Sequence, residues 1–238
     1  MANNYYEGTG VLMLDHVTPV IKALFSAFAL DEHYPGNGRA YIARIAETND
    51  PQWDDVLEGL VDLTATLGLD IPDQSDGSLL AGVLDLLAVH FGAEDDEDDE
   101  DDEDDEDLAS LIENHSFEDS VDLDALLLIA TCFDDGHHLT AIQFEGCWYC
   151  SKPRLFEFGG ESCFLSREVR LFGSSTRIRE FGSQLRQAIL AKDIEEASAF
   201  IALESASLLA GINDEMFRKE VRHRVAQRLA QPQTINAA

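Results

Sequence analysis

The residue types best suited to chemistry gather in one stretch, Cys132, the run Asp134-Asp135-Gly136-His137-His138, Cys147, Cys150 and Cys163. Cys147 and Cys150 have the two-residue spacing with which thiolates share a zinc ion, and Cys132 and Cys163 would complete four ligands. Gly146 directly precedes the pair, but no Gly or Pro lies between the two cysteines or directly after Cys150 to shape a metal knuckle. The flanking residues read as a strand, where positions three apart face opposite ways. No helix follows the pair, as a redox motif requires. The four cysteines therefore read as reduced, partly buried thiols rather than zinc ligands. Cys132, Asp134, Asp135, His137 and His138 are also metal-ligand types, but they meet no standard zinc or calcium spacing. A polar loop between a helix and a strand accounts for them. Gly8-Thr9-Gly10 lacks the third glycine of a dinucleotide loop and precedes a strand instead of following one. No nucleophile elbow, zincin helix or kinase signature is present. The expectation is a protein that is not an enzyme, with no catalytic residue, no metal and no cofactor.

Charge offers a different kind of site. The chain of 238 residues has a formal net charge of −31. Residues 1–151 contain three basic side chains, Lys22, Arg39 and Arg44, against 36 acids, a net of −33. Residues 152–238 contain 13 basic and 11 acidic side chains, a net of +2. Fourteen consecutive acids, Glu94, Asp95, Asp96, Glu97, Asp98, Asp99, Glu100, Asp101, Asp102, Glu103, Asp104, Asp105, Glu106 and Asp107, form a low-complexity acidic region. Like charges at helical spacing oppose a helix, and the run has no apolar atoms to bury, so a disordered linker is expected there. Four more acids, Asp54, Asp55, Glu58 and Asp62, fall on the polar side of a predicted amphipathic helix. The basic residues near the C-terminus, including Arg218, Lys219, Arg222, Arg224 and Arg228, are interleaved with acids and read as an ordinary mixed surface.

The elements that must carry these residues follow from periodicity. Strands are predicted over residues 9–14 and 39–46, with a turn at 34–38. Helices are predicted over 17–28, after Asp50-Pro51 and over 78–91. In the helix after Asp50, Asp50 is expected as cap, and Trp53, Val56, Leu57, Leu60, Val61, Thr64 and Leu67 share one face. Beyond the run, helices are predicted over 108–113 and 123–133. A strand meander follows over 139–150, 155–158 and 163–172, with Gly159-Gly160 as a hairpin turn. Helices over 174–191, 194–210 and 214–229 complete the chain. The expected fold class is α+β, with helices packed on short, mostly antiparallel strands. The expected division is an acidic α/β N-terminal region 1–93, the linker 94–107 and an α+β C-terminal region 108–238, either as two domains or as one domain with an acidic insertion.

A chain this acidic repels phosphate, so direct nucleic-acid binding is disfavoured and a basic protein partner is attracted. No apolar run is long enough to span a bilayer, and few cysteines without a leader suggest a reducing cytoplasm. An extended chain rises about 3.3–3.6 Å per residue, and one DNA strand carries a phosphate about every 3.4 Å. In composition the chain resembles acidic proteins that mimic nucleic acid and inhibit nucleic-acid-binding proteins, among them host-defence enzymes. The leading expectation is a DNA-mimic inhibitor acting by protein–protein interaction through residues 47–124. The alternatives are a loose, chaperone-like acidic protein, and a metal protein or enzyme using residues 134–138 with Cys147 and Cys150.

Overall fold

A computed structural model describes residues 3–71, 79–91, 102–152 and 154–231, the side chains of 102–105 excepted. The fold class is α+β. The chain forms two compact units, Met1–Leu165 and Ser166–Ala238. The elements run β1 (Asn4–Met13), α1 (Pro19–Phe25), a 3-10 turn (Ser26–Phe28), β2 (Asp31–Pro35), β3 (Arg39–Arg44), α2 (Trp53–Leu67), α3 (Leu79–Phe91), α4 (Asp102–Asn114), α5 (Leu123–Cys132), β4 (Ala141–Cys150), β5 (Phe158–Ser166), β6 (Arg170–Ser174), α6 (Ser175–Ala191), α7 (Ile194–Ala210) and α8 (Glu215–Ala230). The strands of the first unit lie side by side in the order β2-β3-β1-β4-β5.

In the first unit β1 is the hub, antiparallel to β3 on one side and to β4 on the other. Period-two alternation sends Tyr6 and Leu12 of β1, Ala40 and Ile42 of β3, and Ile142 and Phe144 of β4 into the core. The helices cover that face with Ile21, Leu24, Trp53, Leu60, Leu84, Leu126 and Ile129, all in one apolar cluster. Helices α1 and α2 cross closely at Gly59, where a Cβ would overlap the Ala23 carbonyl. The N-terminus of α1 is fully satisfied. Pro19 has no N–H to pair, Val20 N–H donates to Asp135 Oδ2 at 3.2 Å, and Ile21 N–H donates to Thr18 Oγ1 at 3.4 Å. Edge strand β2 is exposed throughout and carries Asp31, Glu32 and Pro35, a composition that discourages further strand pairing.

Several expectations change. The two compact units part at 165/166, so residues before and after the acidic run share the first of them. The reason is that β1 and β4 pair from Asn4↔Cys150 to Met13↔Ala141, and α3 and α4, on either side of the run, both feed the same core. The expected linker is only partly open to description. Residues 94–101 lie outside the described residues, whereas residues 102–107 open α4. Acids in a first turn meet the positive end of the helix dipole, and Leu108, Leu111 and Ile112 pin the turns that follow.

Helix α2 is capped by Gln52 rather than Asp50, because Asp50 is taken by an ion pair with Arg44. Residues 155–158 form no separate strand, and Gly159-Gly160 lies inside β5 rather than at a hairpin turn. A glycine suits position 159 because the Trp148 ring fills the space a Cβ would need. The stretch 163–172 is the end of β5 and the start of β6. Strand β2 was unexpected, and only its last two residues, Tyr34 and Pro35, fall in the predicted turn.

The second unit is a short strand followed by three helices. Each helix has a side-chain cap: Ser174 Oγ accepts Arg177 N–H at 3.2 Å, Asp193 Oδ1 accepts Glu196 N–H at 2.9 Å, and Asp214 Oδ1 accepts Phe217 N–H at 2.8 Å.

Candidate functional site

Helix α2 places its acids as its periodicity predicts. Trp53, Val56, Leu60, Leu63 and Thr64 are buried, while Asp54, Asp55, Glu58 and Asp62 are exposed. Asp54, Glu58 and Asp62 follow one another at four-residue steps, a ridge rising about 6 Å per step. No ion pair to any of the three is present among the described residues. Asp55 differs, because its Oδ2 accepts the Gln52 N–H at 2.9 Å in a capping box. Part of its charge therefore serves the helix. The helix is held at its N-terminus from outside as well: Trp53 N–H donates to the Asp119 carbonyl at 3.1 Å, and the Trp53 ring meets Phe117 edge-on at 4.9 Å.

Of the acidic run, Glu106 and Asp107 are exposed at the start of α4. An all-acidic helix carries a charge every 1.5 Å or so of its axis, against about 1.7 Å for both strands of duplex DNA together. Helical geometry thus moves the comparison from a single strand to the duplex. Glu94, Asp95, Asp96, Glu97, Asp98, Asp99, Glu100 and Asp101 lie outside the described residues.

Asp134, Asp135 and His137 bring one donor atom each within 4.8 Å of the others. The ring nitrogens of His137 are nonetheless spent on the fold, while Asp135 Oδ2 accepts the Val20 N–H and its Oδ1 is buried without a hydrogen-bond partner among the described residues. His137 is buried, its Nε2–H donates to the Ala130 carbonyl at 3.1 Å, and its Nδ1 accepts the Leu139 N–H at 2.8 Å. That pattern fixes the neutral ring and leaves no nitrogen lone pair for a metal. Burial pushes the His137 imidazole below its ordinary value, against the pull of Asp134 and Asp135. Partial burial pushes Asp134 up, but the N–H groups of His138 and Gly136 outweigh it and hold the carboxyl low. His138 is exposed and bonded through Nδ1 to Asp15 Oδ2 at 2.8 Å, which raises it. The loop is a clasp. It ties the end of α5 and the start of β4 to Asp15 and to the first turn of α1.

Cys147 and Cys150 point to opposite faces of β4, the first exposed and the second buried, and none of the four cysteines is in a disulfide. Burial, with Glu161 adding to it, pushes the Cys163 thiol up to about 11, so it is protonated and unreactive at neutral pH.

Sequence reasoning missed two features, both assembled from distant strands. Between sheet and helices, burial and a hydrogen bond to Glu161 push the Tyr6 phenol up, and the Arg44 guanidinium lies 5.0 Å from the centre of its ring. On the outer face, Thr9, Val11, Tyr34, Tyr41, Gln143 and Phe164 line a shallow depression of about 520 Å³. Only the alternation of β1 signalled that face, and alternation does not say which strands lie beside it.

No helix among the described residues is long and apolar enough to cross a membrane. Set against known proteins, the chain matches no family model, no curated protein and no solved structure.

Proposed function

We propose that the protein is a non-catalytic binding protein of the cytoplasm. Its acidic helices occupy the basic, nucleic-acid-binding surface of another protein and so inhibit it. The observation that carries this reading is the ridge of Asp54, Glu58 and Asp62, exposed, without ion pairs among the described residues, and mounted on a helix whose other face is buried. Such charges are fixed in space, and their repulsion is relieved when a basic surface covers them. The acids that open α4 add charge at a density like that of duplex DNA. The engaged ring nitrogens of His137 and the high Cys163 thiol weigh against the enzyme and metal alternatives.

The test begins with affinity capture at low salt and identification of what elutes at high salt. With that partner purified, affinity should fall at least about tenfold between 50 and 200 mM salt, and DNA or RNA should compete. Reversing Asp54, Glu58 and Asp62 to Lys should weaken binding by about tenfold or more. Affinity indifferent to salt, or a complex holding both the partner and nucleic acid at full strength, sinks the reading. Loss of binding only when the run is removed, with the α2 variant unaffected, would favour the loose, chaperone-like alternative.

A further inference from the structure

We propose that α6, α7 and α8 form the interface of a homodimer, two copies meeting through their second units. Within these helices Ala188 is the one buried apolar side chain among the described residues. Ile178 and Ile189 on α6, Leu203 and Leu208 on α7, and Met216 and Phe217 on α8 are all more than half exposed. Helix α7 makes the case most strongly. From Ala197 to Ala210 its only charged residue is Glu204, and its apolar residues run around the whole circumference. A helix of that composition belongs in an interior.

The helices are nevertheless firmly specified. Each has its cap, and Arg177 on α6 pairs with Glu204 on α7 at 2.7 Å. A sequence that encodes three capped helices with no core among them leaves a missing layer to be supplied from outside.

Charge identifies the occupant. Residues 166–238 contain 11 basic and 9 acidic side chains, a net of +2, whereas residues 1–165 sum to −33. Two copies repel one another through their first units, and the second is the part in which they can meet without that cost. Nucleic acid is a poor fit to a net of only +2, and two of the five cations on α8 are already paired, Lys219 with Glu215 at 2.6 Å and Arg224 with Glu220 at 3.1 Å. The area is sufficient. Helices α6, α7 and α8 expose ten large apolar side chains, on the order of 600 Å² of apolar surface, of the scale of the roughly 800 Å² per partner of a standard stable interface. A self-complementary patch with both signs interleaved suits an isologous two-fold contact.

Sedimentation velocity on the full chain, from about 1 to 100 μM, tests this. The expected mass is twice the 26.3 kDa of one chain. Leu203→Glu with Leu208→Glu should give a monomer with unchanged emission from buried Trp53. Should that variant unfold, Met216→Lys with Phe217→Lys on exposed positions of α8 keeps the test open, with at least tenfold weaker association expected. Raising salt should tighten the dimer by screening the −33 units, the opposite of its effect on the acidic-surface partner, so each proposal can fail without the other. A wild-type monomer at 100 μM overturns the proposal, as does a dimer that a folded variant of either kind leaves intact.

Discussion

His137 shows how a residue type associated with catalysis can be consumed by structure. Both ring nitrogens are engaged by backbone groups, and burial disfavours its charged form. The folded state therefore holds that proton less tightly than the unfolded state, whose value is the ordinary 6.5. As pH falls below about 6.5 the unfolded chain takes up the proton first, and stability is lost. His138 acts in the opposite sense. Its bond to Asp15 raises it, so its contribution is present below 6.5 and lost as pH rises through the folded value. It is fully exposed and screened by solvent, so the buried ring governs. Urea denaturation should show lower stability at pH 5.5 than at 7, with a steeper fall in His138→Asn. A flat profile in that variant would mean that His137 is not kept neutral. The residue types at 134–138 were legible in the sequence, but their roles were not. Nothing in the local spacing reveals that Ala130 and Leu139 supply the partners of His137.

At the scale of elements, α2 was the most legible, because apolar residues at a 3.6-residue period and acids between them specify both its faces. Its start was misplaced by two residues because Arg44, from another strand, claims Asp50. Strand β5 was only partly legible, its residues 163–166 falling in a predicted strand and its residues 159–160 in a predicted turn. Gly159-Gly160 reads locally as a turn, and the reason for a glycine, the Trp148 ring, sits on β4. The start of α4 was hidden by a competition of effects. Repulsion among its acids argues against a helix, while the dipole and Leu108 argue for one. The crossing of α1 and α2 gives a direct test. Ala normally stabilises a helix by about 1 kcal/mol relative to Gly, but at Gly59 a Cβ strikes the Ala23 carbonyl. Gly59→Ala should destabilise by about 1–2 kcal/mol, because overpacking costs about 1–3 kcal/mol. A stabilised variant in equilibrium unfolding would show that the two helices have room to separate.

For the molecule as a whole, charge was the clearest sequence signal and it nearly coincides with the structural division. The counts changed from acidic to balanced at about residue 152, and the compact units part at 165/166. The placement of that boundary was not legible, because nothing in the sequence shows that β1 and β4 pair across the acidic run. A first unit at −33 strains against itself. Raising salt from about 50 to 500 mM, which shortens the Debye length from beyond 10 Å to below 8 Å, should raise the thermal midpoint by a few degrees. A fall in the calorimetric midpoint would mean that attractive ion pairs outweigh the repulsion.

The position of β1 between β3 and β4 also sets an order of events during synthesis. Residues 31–44 follow β1 closely and can pair with it early, whereas Met13 waits for Ala141. Until then one edge of β1, with Tyr5, Tyr6 and Val11, has bare N–H and C=O groups, the kind of edge on which growing chains stick together. Nearly all of the net negative charge is already made before β4 leaves the ribosome. Neighbouring nascent chains therefore repel one another during the interval in which that edge is bare, and the acids guard the strand before they meet any partner.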